Sequence, residues 1–308
     1  MTSERVGAAT VPALPGAVHI REVGPRDGLQ VESPVTVETR VRLIDGLFAA
    51  GVREVEAVSF VSPKAVPSMA QAAQVLGAIA PRPAGATVVA LVPNVRGAEL
   101  ALETGLDGLT VTISISETYN QHNVRMSTAE SVEVIGAICA LSPLPVEAVV
   151  SCAFGSPYEG DVDPADAAAL SRALAAGGAA RVSYADTTGM ATPRRINELV
   201  DATGSDIGLH LHESRGTALV NAYAALQRDV RRFDTSIGGL GGSPFAAGAA
   251  GNLATEELVA VLDDLGVDTG VDVEALVALG QWLGGEIGHP VPSRVVAVGP
   301  RSRRVPAG

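Results

Sequence analysis

Eight short β-branched runs alternate with helical patterns along the chain, and this order constrains the fold more than any other feature. The segments between the runs, such as VETRVRLIDGLFAAG and ADAAALSRALAAGG, place apolar residues three and four positions apart, as in a helix that buries one face. No linker divides the series. Eight strand–helix units predict an α/β fold, a (β/α)₈ TIM barrel, rather than an open doubly wound sheet. The predicted strands are Ala17–Val23, Glu54–Phe60, Thr87–Val92, Leu109–Ile115, Glu147–Cys152, Arg181–Asp186, Ile207–His212 and Phe233–Ile237.

The composition supports a parallel sheet covered by helices. Hydrophobic residues make up 47% of the 308 positions, whereas aromatic residues make up 3%, so the core must consist largely of Ala, Val, Leu and Ile. We expect one domain, with the barrel over residues 17–268, additional C-terminal helices over 269–297 and a disordered tail over 298–308.

Charge and cysteine content narrow the classes of partner. A net charge of −12 argues against a nucleic-acid surface or an anionic membrane patch. No apolar run approaches the roughly 20 residues that cross a bilayer, and residues 1–16 do not resemble a secretory signal. Cys139 and Cys152 lie in apolar surroundings and are interpreted as reduced, structural thiols. We therefore expect a cytoplasmic protein without a nucleic-acid or membrane partner.

Polar residues collect where the predicted strands end, which is where a barrel of this kind builds its active site. The opposite ends of the strands carry no comparable set in the sequence, and this asymmetry indicates an enzyme. The residues at the carboxyl ends are Arg26 and Asp27 after the first strand, Glu56, Ser59 and Lys64 on and after the second, Asp186 at the end of the sixth, His210 and His212 on the seventh, and Asn252 at the end of a glycine-rich loop after the eighth.

His210 and His212 form the sharpest local pattern. Residues two apart on a strand project from the same face, and two adjacent buried imidazoles are costly unless a group such as a divalent cation satisfies them. The alternative is a pair of independently hydrogen-bonded core histidines. Because the eighth strand of a closed barrel lies between the seventh and the first, Asp27 and Asn252 can converge on both histidines. Oxygen and nitrogen ligands without a thiolate suit Mg²⁺ or Mn²⁺.

Other chemistries fit the same residues less well. Metal-dependent hydrolases on this fold usually carry an HxH motif on the first strand, and non-haem iron oxygenases typically use a double-stranded β-helix. Lys64 as a Schiff-base lysine would indicate a class I aldolase, but VSPKAVPS is typical of a loop rather than a desolvated pocket. Lys64 then either meets an anionic part of the substrate or is an exposed loop residue. Arg26 either stabilises a developing enolate or pairs with Asp27 or Glu22.

Six motifs, in order over about residues 17–268, resemble the 3-hydroxy-3-methylglutaryl-CoA (HMG-CoA) lyase family of the DRE-TIM metallolyases. They are EVGPRDGLQ, SFVSPK, SCAFGSPYEG, ADTTG, HLHES and GGLGGSPFAAGAAGNLATEEL. Members of that family are (β/α)₈ barrels that cleave HMG-CoA to acetyl-CoA and acetoacetate with Mg²⁺ or Mn²⁺, by a retro-Claisen reaction. The resemblance thus implies an acyl-CoA substrate, a divalent cation and a homodimer.

The resemblance also implies roles for individual residues. Arg26 would stabilise the enolate of acetyl-CoA, Glu56 and Asp186 would shape and polarise the site, and His210 would help to transfer a proton. The implied metal ligands are Asp27, His210, His212 and Asn252. We also expect Gln30, Ser59 and Lys64 to bind the substrate.

Ser243 is the position at which the chain departs from that family. The family's glycine loop reads GGCP, and its cysteine is a catalytic acid/base, whereas this chain reads GGSP. A thiol has a pKa of about 8.5, whereas the pKa of an alkanol is closer to the ~15.7 of water. Ser243 can therefore relay a proton but is a poor base. Three functions remain open: an HMG-CoA-like lyase, a DRE-TIM aldolase or Claisen-type condensing enzyme on another hydroxy or keto acid, and a weakly catalytic protein that binds metal and acyl-CoA.

Overall fold

Eight parallel strands close into a barrel in which each strand pairs with the next in sequence and the eighth pairs with the first. The computed structural model describes residues 14–242 and 251–304. All eight predicted strands are present with small differences at their ends, and the predicted fold class is confirmed. The strands are β1 His19–Glu22, β2 Glu54–Ser59, β3 Thr87–Leu91, β4 Gly108–Ser114, β5 Val146–Ser151, β6 Arg181–Ala185, β7 Gly208–His210 and β8 Arg232–Thr235.

The helices surround the barrel and begin at residues whose side chains cap them. Thr36 accepts a hydrogen bond from the N–H of Thr39 at the start of α1, and Ser127 forms a capping box with Glu130 at the start of α5. The helices are α1 Val37–Ala49, α2 Ala72–Ala78, α3 Val95–Leu102, α4 Glu117–Val124, α5 Thr128–Leu141, α6 Pro164–Ala176, α7 Pro193–Thr203, α8 Ala218–Leu226, α9 Thr255–Leu265, α10 Val273–Ile287 and α11 Arg294–Val298.

The strands divide their side chains between an apolar exterior and a polar interior. On β4, Leu109, Val111 and Ile113 are fully buried in the core between the barrel and the helices. Thr110 points the other way, and its hydroxyl donates to Glu56 of β2 inside the barrel. Because strand residues alternate between faces, the hydrophobic core lies outside the barrel and its lumen is free to carry polar groups.

A buried ion network fills the lumen towards the amino ends of the strands. Arg21 of β1 donates to Asp234 of β8 and lies 3.1 Å from Glu147 of β5, which also accepts from Arg232. The expectation that these strand ends carry no comparable polar set is therefore wrong. β1 has four residues, too few to reveal from sequence which of its side chains face the lumen.

The C-terminal helices pack against the outside of the barrel near α1. The guanidinium of Arg42 on α1 stacks over Trp282 of α10 at 4.3 Å from the ring centre. A Cβ on Gly46 of α1 would lie 2.7 Å from the Cδ1 atom of Leu279 on α10, so the two helices approach each other closely at this point. The boundaries of the helical extension and of the tail over 298–308 stay predictions. No helix in the described ranges is long and apolar enough to cross a membrane.

Candidate functional site

The first part of the site is the turn that follows β1. Residues Gly24–Gly28 form one turn of π-helix, a rare geometry often found at functional sites, and it carries Arg26 and Asp27. A Cβ on Gly28 would lie 2.7 Å from the hydroxyl oxygen of Ser236, so the turn packs directly against the chain leaving β8. The GPRDG sequence therefore brings Asp27 next to the last strand of the barrel.

Asp27, His210 and His212 form a buried cluster at the mouth of the barrel. One ligand atom from each lies within 4.8 Å of the others. The Nε2 atom of His210 lies 3.1 Å from Nε2 of His212 and 3.9 Å from an Asp27 oxygen. Two imidazole nitrogens this close require a shared proton or a cation between them, since facing lone pairs repel. Two imidazoles and one carboxylate thus form a donor set that suits a divalent ion.

Asn252 completes the cluster from the chain that returns after the glycine-rich loop. It forms an isolated β-bridge with His212, and its Nδ2 donates to Asp27 at 2.7 Å and to the carbonyl of Leu240 at 2.9 Å. Its Oδ1 is buried and has no hydrogen-bond partner within the described part of the chain. Such an orphaned oxygen fits a fourth metal ligand, so the structure brings together all four residues that the sequence singled out for a cation.

Neighbouring charges keep the Asp27 carboxyl in the form that binds a cation. Burial opposes its ionisation, but Arg26, both histidines and the hydrogen bond from Asn252 together lower the pKa of Asp27 below its ordinary value. Asp27 is therefore a carboxylate at neutral pH, as a metal ligand must be.

Arg26 lies between two carboxylates at the edge of this cluster. Its Nε donates to Glu56, and its Nη1 donates to Asp27 at 2.6 Å. The pairing with Asp27 that the sequence left open is observed, whereas Glu22 has other partners. Within residues 14–242 and 251–304, Nη2 of Arg26 has no hydrogen-bond partner, and the side chain is partly exposed. Nε and Nη1 are thus engaged, which leaves the N–H groups of Nη2 as donors for an anion.

Asp186 is a buried carboxyl with one free oxygen. Its backbone N–H donates to the carbonyl of His210, its Oδ1 accepts from the N–H of Ala191 at 2.9 Å, and its Oδ2 has no partner in the described chain. Burial raises the pKa of Asp186 to about 7, against the opposing effect of the Ala191 hydrogen bond. A carboxyl that exchanges its proton near neutral pH is suited to general acid–base catalysis.

The predicted substrate-binding residues are less closely connected to the cluster. Ser59 at the end of β2 is buried, and its hydroxyl has no partner in the described residues. Gln30 is partly buried, and its carbonyl accepts from the Ser68 hydroxyl. Lys64 is exposed in the turn after β2. Ser243 lies outside the described residues, so the departure in the glycine loop stays a sequence observation.

Glu22, which the sequence presented only as an alternative partner for Arg26, connects three segments of the site. Its carboxyl oxygens accept hydrogen bonds from the N–H of Gly24 and the N–H of Ile237, both at 2.8 Å, and from the hydroxyl of Thr255. These donors begin the Asp27 turn, the chain after β8 and the helix that follows Asn252. Glu256 supports the same turn by accepting from the N–H of Gly238 at 3.0 Å. The sequence indicates Glu22 only as a charged residue next to the GPRDG motif. Its hydrogen-bond partners come from distant segments that meet only when the barrel closes.

These two buried glutamates should make stability depend on pH. Burial raises the pKa of Glu22 to about 8 and that of Glu256 to about 7, from an ordinary 4.5. At intermediate pH the native protein keeps protons that the unfolded chain has released. We therefore expect the free energy of unfolding to fall as pH rises, by on the order of 1 kcal/mol per pH unit for each group, from about 5 to 7 for Glu256 and from about 5 to 8 for Glu22. Urea unfolding followed by circular dichroism measures it.

Matched variants separate these glutamates from the other titrating groups. Glu22→Gln and Glu256→Gln should each flatten the pH dependence of the unfolding free energy, whereas Glu103→Gln, at an exposed position, should leave the slope unchanged. Equal slopes for all three variants and the parent protein would contradict the assignment.

Comparisons with known proteins agree with this geometry. Residues 17–283 match the family described as HMGL-like. The chain is 41% identical over 290 residues to the 3-hydroxy-3-isohexenylglutaryl-CoA/hydroxy-methylglutaryl-CoA lyase of Pseudomonas aeruginosa, covering 91% of this chain and 96% of that protein. It is 39% identical to the (R)-citramalyl-CoA lyase of Chloroflexus aurantiacus, covering 92% and 95%. The structure of an HMG-CoA lyase from Acinetobacter baumannii, in complex with coenzyme A and 3-methylmalate, superposes with a TM-score of 0.90 at 35% identity, covering 95% of this chain and 98% of that one.

Proposed function

Since the chain belongs to the HMGL-like family and is a carbon–carbon lyase, we propose that it cleaves an HMG-CoA-like thioester to acetyl-CoA and a keto acid with bound Mg²⁺ or Mn²⁺. The observation that carries this proposal is the orphaned Asn252 oxygen in a cluster with Asp27 and two histidines, beside the free edge of Arg26. The proposal includes a homodimer and a cytoplasmic location.

The residues of the site divide the reaction between them. A divalent cation held by Asp27, His210, His212 and Asn252 would polarise the C3 hydroxyl of the substrate and make its proton easier to remove. Asp186, through its free oxygen, accepts that proton. The C3–O bond becomes the ketone of acetoacetate, the C2–C3 bond breaks, and its electron pair forms the enolate of acetyl-CoA. The enolate then takes up at C2 the proton that Asp186 accepted, which restores the Asp186 carboxylate.

Arg26 stabilises the negative charge that develops on the thioester oxygen. Its partners Glu56 and Asp27 orient the guanidinium without occupying Nη2, so one donor remains for the enolate. Ser243 relays the proton from Asp186 to C2, because an alkanol hydroxyl can pass a proton on but is too weak a base to remove one by itself. A direct proton transfer by His210 requires one of its ring nitrogens to be released, whereas Asp186 already has a free oxygen.

Citramalyl-CoA is a second candidate substrate for the same activity assay. The identity to (R)-citramalyl-CoA lyase, 39%, is close to the 41% shared with the lyase from Pseudomonas aeruginosa. Citramalyl-CoA is also a branched 3-hydroxyacyl thioester, and the same bond cleavage would give acetyl-CoA and pyruvate. The two substrates therefore differ in the keto acid released rather than in the chemistry.

The activity test is acetyl-CoA release by the Mn²⁺-loaded protein. We expect HMG-CoA to give equimolar acetyl-CoA and acetoacetate, because the ligand set and Arg26 are in place for that cleavage. Acetyl-CoA with pyruvate, from citramalyl-CoA alone, would favour the second substrate. Turnover of a hydroxy-keto acid without CoA would favour the aldolase alternative, and no acetyl-CoA from any thioester would contradict the proposal.

The Ser243→Cys variant is the internal control for the proton relay. A thiol at this position supplies an acid/base group with a pKa of about 8.5, low enough to exchange a proton at neutral pH, so we expect kcat on HMG-CoA to rise by about tenfold or more. Ser243→Ala should lower kcat. Equal rates in all three proteins would show that residue 243 takes no part in proton transfer.

A further inference from the structure

The two ring nitrogens of His210 have different surroundings. Nε2 faces His212 and Asp27 in the cluster at the barrel mouth. Nδ1 points the other way, into the lumen, and lies 3.3 Å from Oδ2 of Asp234. The side chain of Asp234 is buried, and nothing in the proposed reaction uses it.

Asp234 is itself held firmly from the opposite side by Arg21. The guanidinium binds both carboxylate oxygens, with Nε to Oδ1 at 2.9 Å and Nη2 to Oδ2 at 2.7 Å. Such a two-point contact fixes the carboxylate plane as well as its position. Nη1 of Arg21 lies 3.1 Å from Glu147, whose other oxygen accepts from Arg232.

The barrel register explains why these three side chains meet. Asp234 pairs with Arg21 across the β1–β8 ladder and with His210 across the β7–β8 ladder. Residues paired across adjacent strands point to the same side of the sheet, so Arg21, Asp234 and His210 form one row across three strands inside the lumen.

We infer that Asp234, held in place by Arg21, is a positioning residue that keeps the His210 proton on Nδ1 and so presents Nε2 to the cation as a free lone pair. The inference rests on the proposed metal-dependent function. A histidine that donates one N–H to a carboxylate has its tautomer and ring orientation fixed, which raises its basicity as a metal ligand.

The geometry of this row favours positioning over mere ion pairing. Arg21 is surrounded by three carboxylates, Asp234, Glu147 at 3.1 Å and Glu54 at 4.0 Å, but among these only Asp234 also contacts His210. The Asp234 oxygen nearest to His210 is also the one bound by Nη2 of Arg21, so the guanidinium places that oxygen where Nδ1 can donate to it.

The first test is the tautomer of His210 in the metal-free protein. We expect two-dimensional ¹⁵N–¹H spectra of the imidazoles to show a protonated Nδ1 and an unprotonated Nε2 for His210, with its signals assigned by their absence in His210→Gln. The chain has five histidines, which keeps the spectrum simple. In Asp234→Asn the preference for this tautomer should weaken. A proton on Nε2 in the parent protein would overturn the inference.

The second test is Mn²⁺ affinity in a variant that does not leave a buried charge unpaired. Arg21→Met/Asp234→Asn removes both members of the ion pair, and we expect its Kd for Mn²⁺, measured by titration with electron paramagnetic resonance, to be about 10- to 100-fold weaker. The control Glu147→Gln/Arg232→Met removes the other pair of the network, which does not contact His210. It should change the unfolding midpoint but leave the Mn²⁺ affinity within about twofold.

The outcomes distinguish this inference from the proposed function. If the Arg21→Met/Asp234→Asn protein folds and binds Mn²⁺ as tightly as the parent, Asp234 does not position His210, and the lyase proposal stands. If the parent protein binds Mn²⁺ and shows the Asp234 effect but cleaves no thioester, the lyase proposal fails and the positioning role stands.

Discussion

Asp27→Ala and His212→Ala should each abolish tight Mn²⁺ binding and lower kcat for thioester cleavage by about a thousandfold or more. Both side chains belong to the buried cluster whose ligand atoms lie within 4.8 Å of one another. Metal affinity falls because the three remaining ligands do not compensate for the water molecules that the cation loses on binding. The rate falls because polarisation of the substrate hydroxyl by the cation lowers the activation free energy by several kcal/mol. Metal content after dialysis and steady-state kinetics measure the two effects separately.

The control for this prediction is Asp166→Ala, which removes an exposed carboxylate on α6. It should bind one Mn²⁺ per chain with the parent affinity. Asn252→Ala should weaken binding less than Asp27→Ala, since it removes a neutral ligand. Unchanged metal stoichiometry in Asp27→Ala or His212→Ala would refute the ligand assignment, whatever the effect on rate.

The convergence of this site could be predicted because barrel closure depends on the order of elements and not on side-chain detail. The spacing of two residues between His210 and His212 predicts that both side chains lie on the same face of a strand. Once the eighth strand is placed between the seventh and the first, Asp27 and Asn252 must reach the same rim, although 225 positions separate them. The alternation of strands and helices is therefore sufficient to predict that these four side chains meet.

The second layer of the site could not be predicted because it depends on strand register. Asp234 contacts His210 because the two residues are paired across β7 and β8. It contacts Arg21 because those two residues are paired across β1 and β8. A shift of one residue would turn each side chain to the other face. Strands of three and four residues show no alternation long enough to fix that register from the sequence.

The polar lumen explains why composition alone suggested an ordinary core. The chain is rich in Ala, Val, Leu and Ile, and those residues cover the outside of the strands. The few lumen positions that carry Arg21, Glu56 or Asp234 are too small a fraction of the composition to be noticed. Burial of these charges is tolerable because each has a partner inside the barrel.

Arg26→Met should lower kcat by about 10²- to 10³-fold while the protein still binds Mn²⁺. The substitution removes the donor aimed at the developing enolate, an interaction that is strongest in the transition state. KM for the thioester should change less than kcat for the same reason. Arg26→Lys is the matched variant, since it keeps the charge but cannot bind Asp27 and Glu56 while offering a third donor.

The same pair of variants decides between the two interpretations of Arg26 that its contacts leave open. If the guanidinium serves only to hold Asp27, then Arg26→Met should lose Mn²⁺ affinity in step with kcat, and Arg26→Lys should restore both through its charge. If it stabilises the enolate, kcat should fall in both variants with Mn²⁺ affinity nearly unchanged. The two bonds to Asp27 and Glu56 favour the second outcome, because they fix the guanidinium through Nε and Nη1 and leave Nη2 as a donor for the substrate.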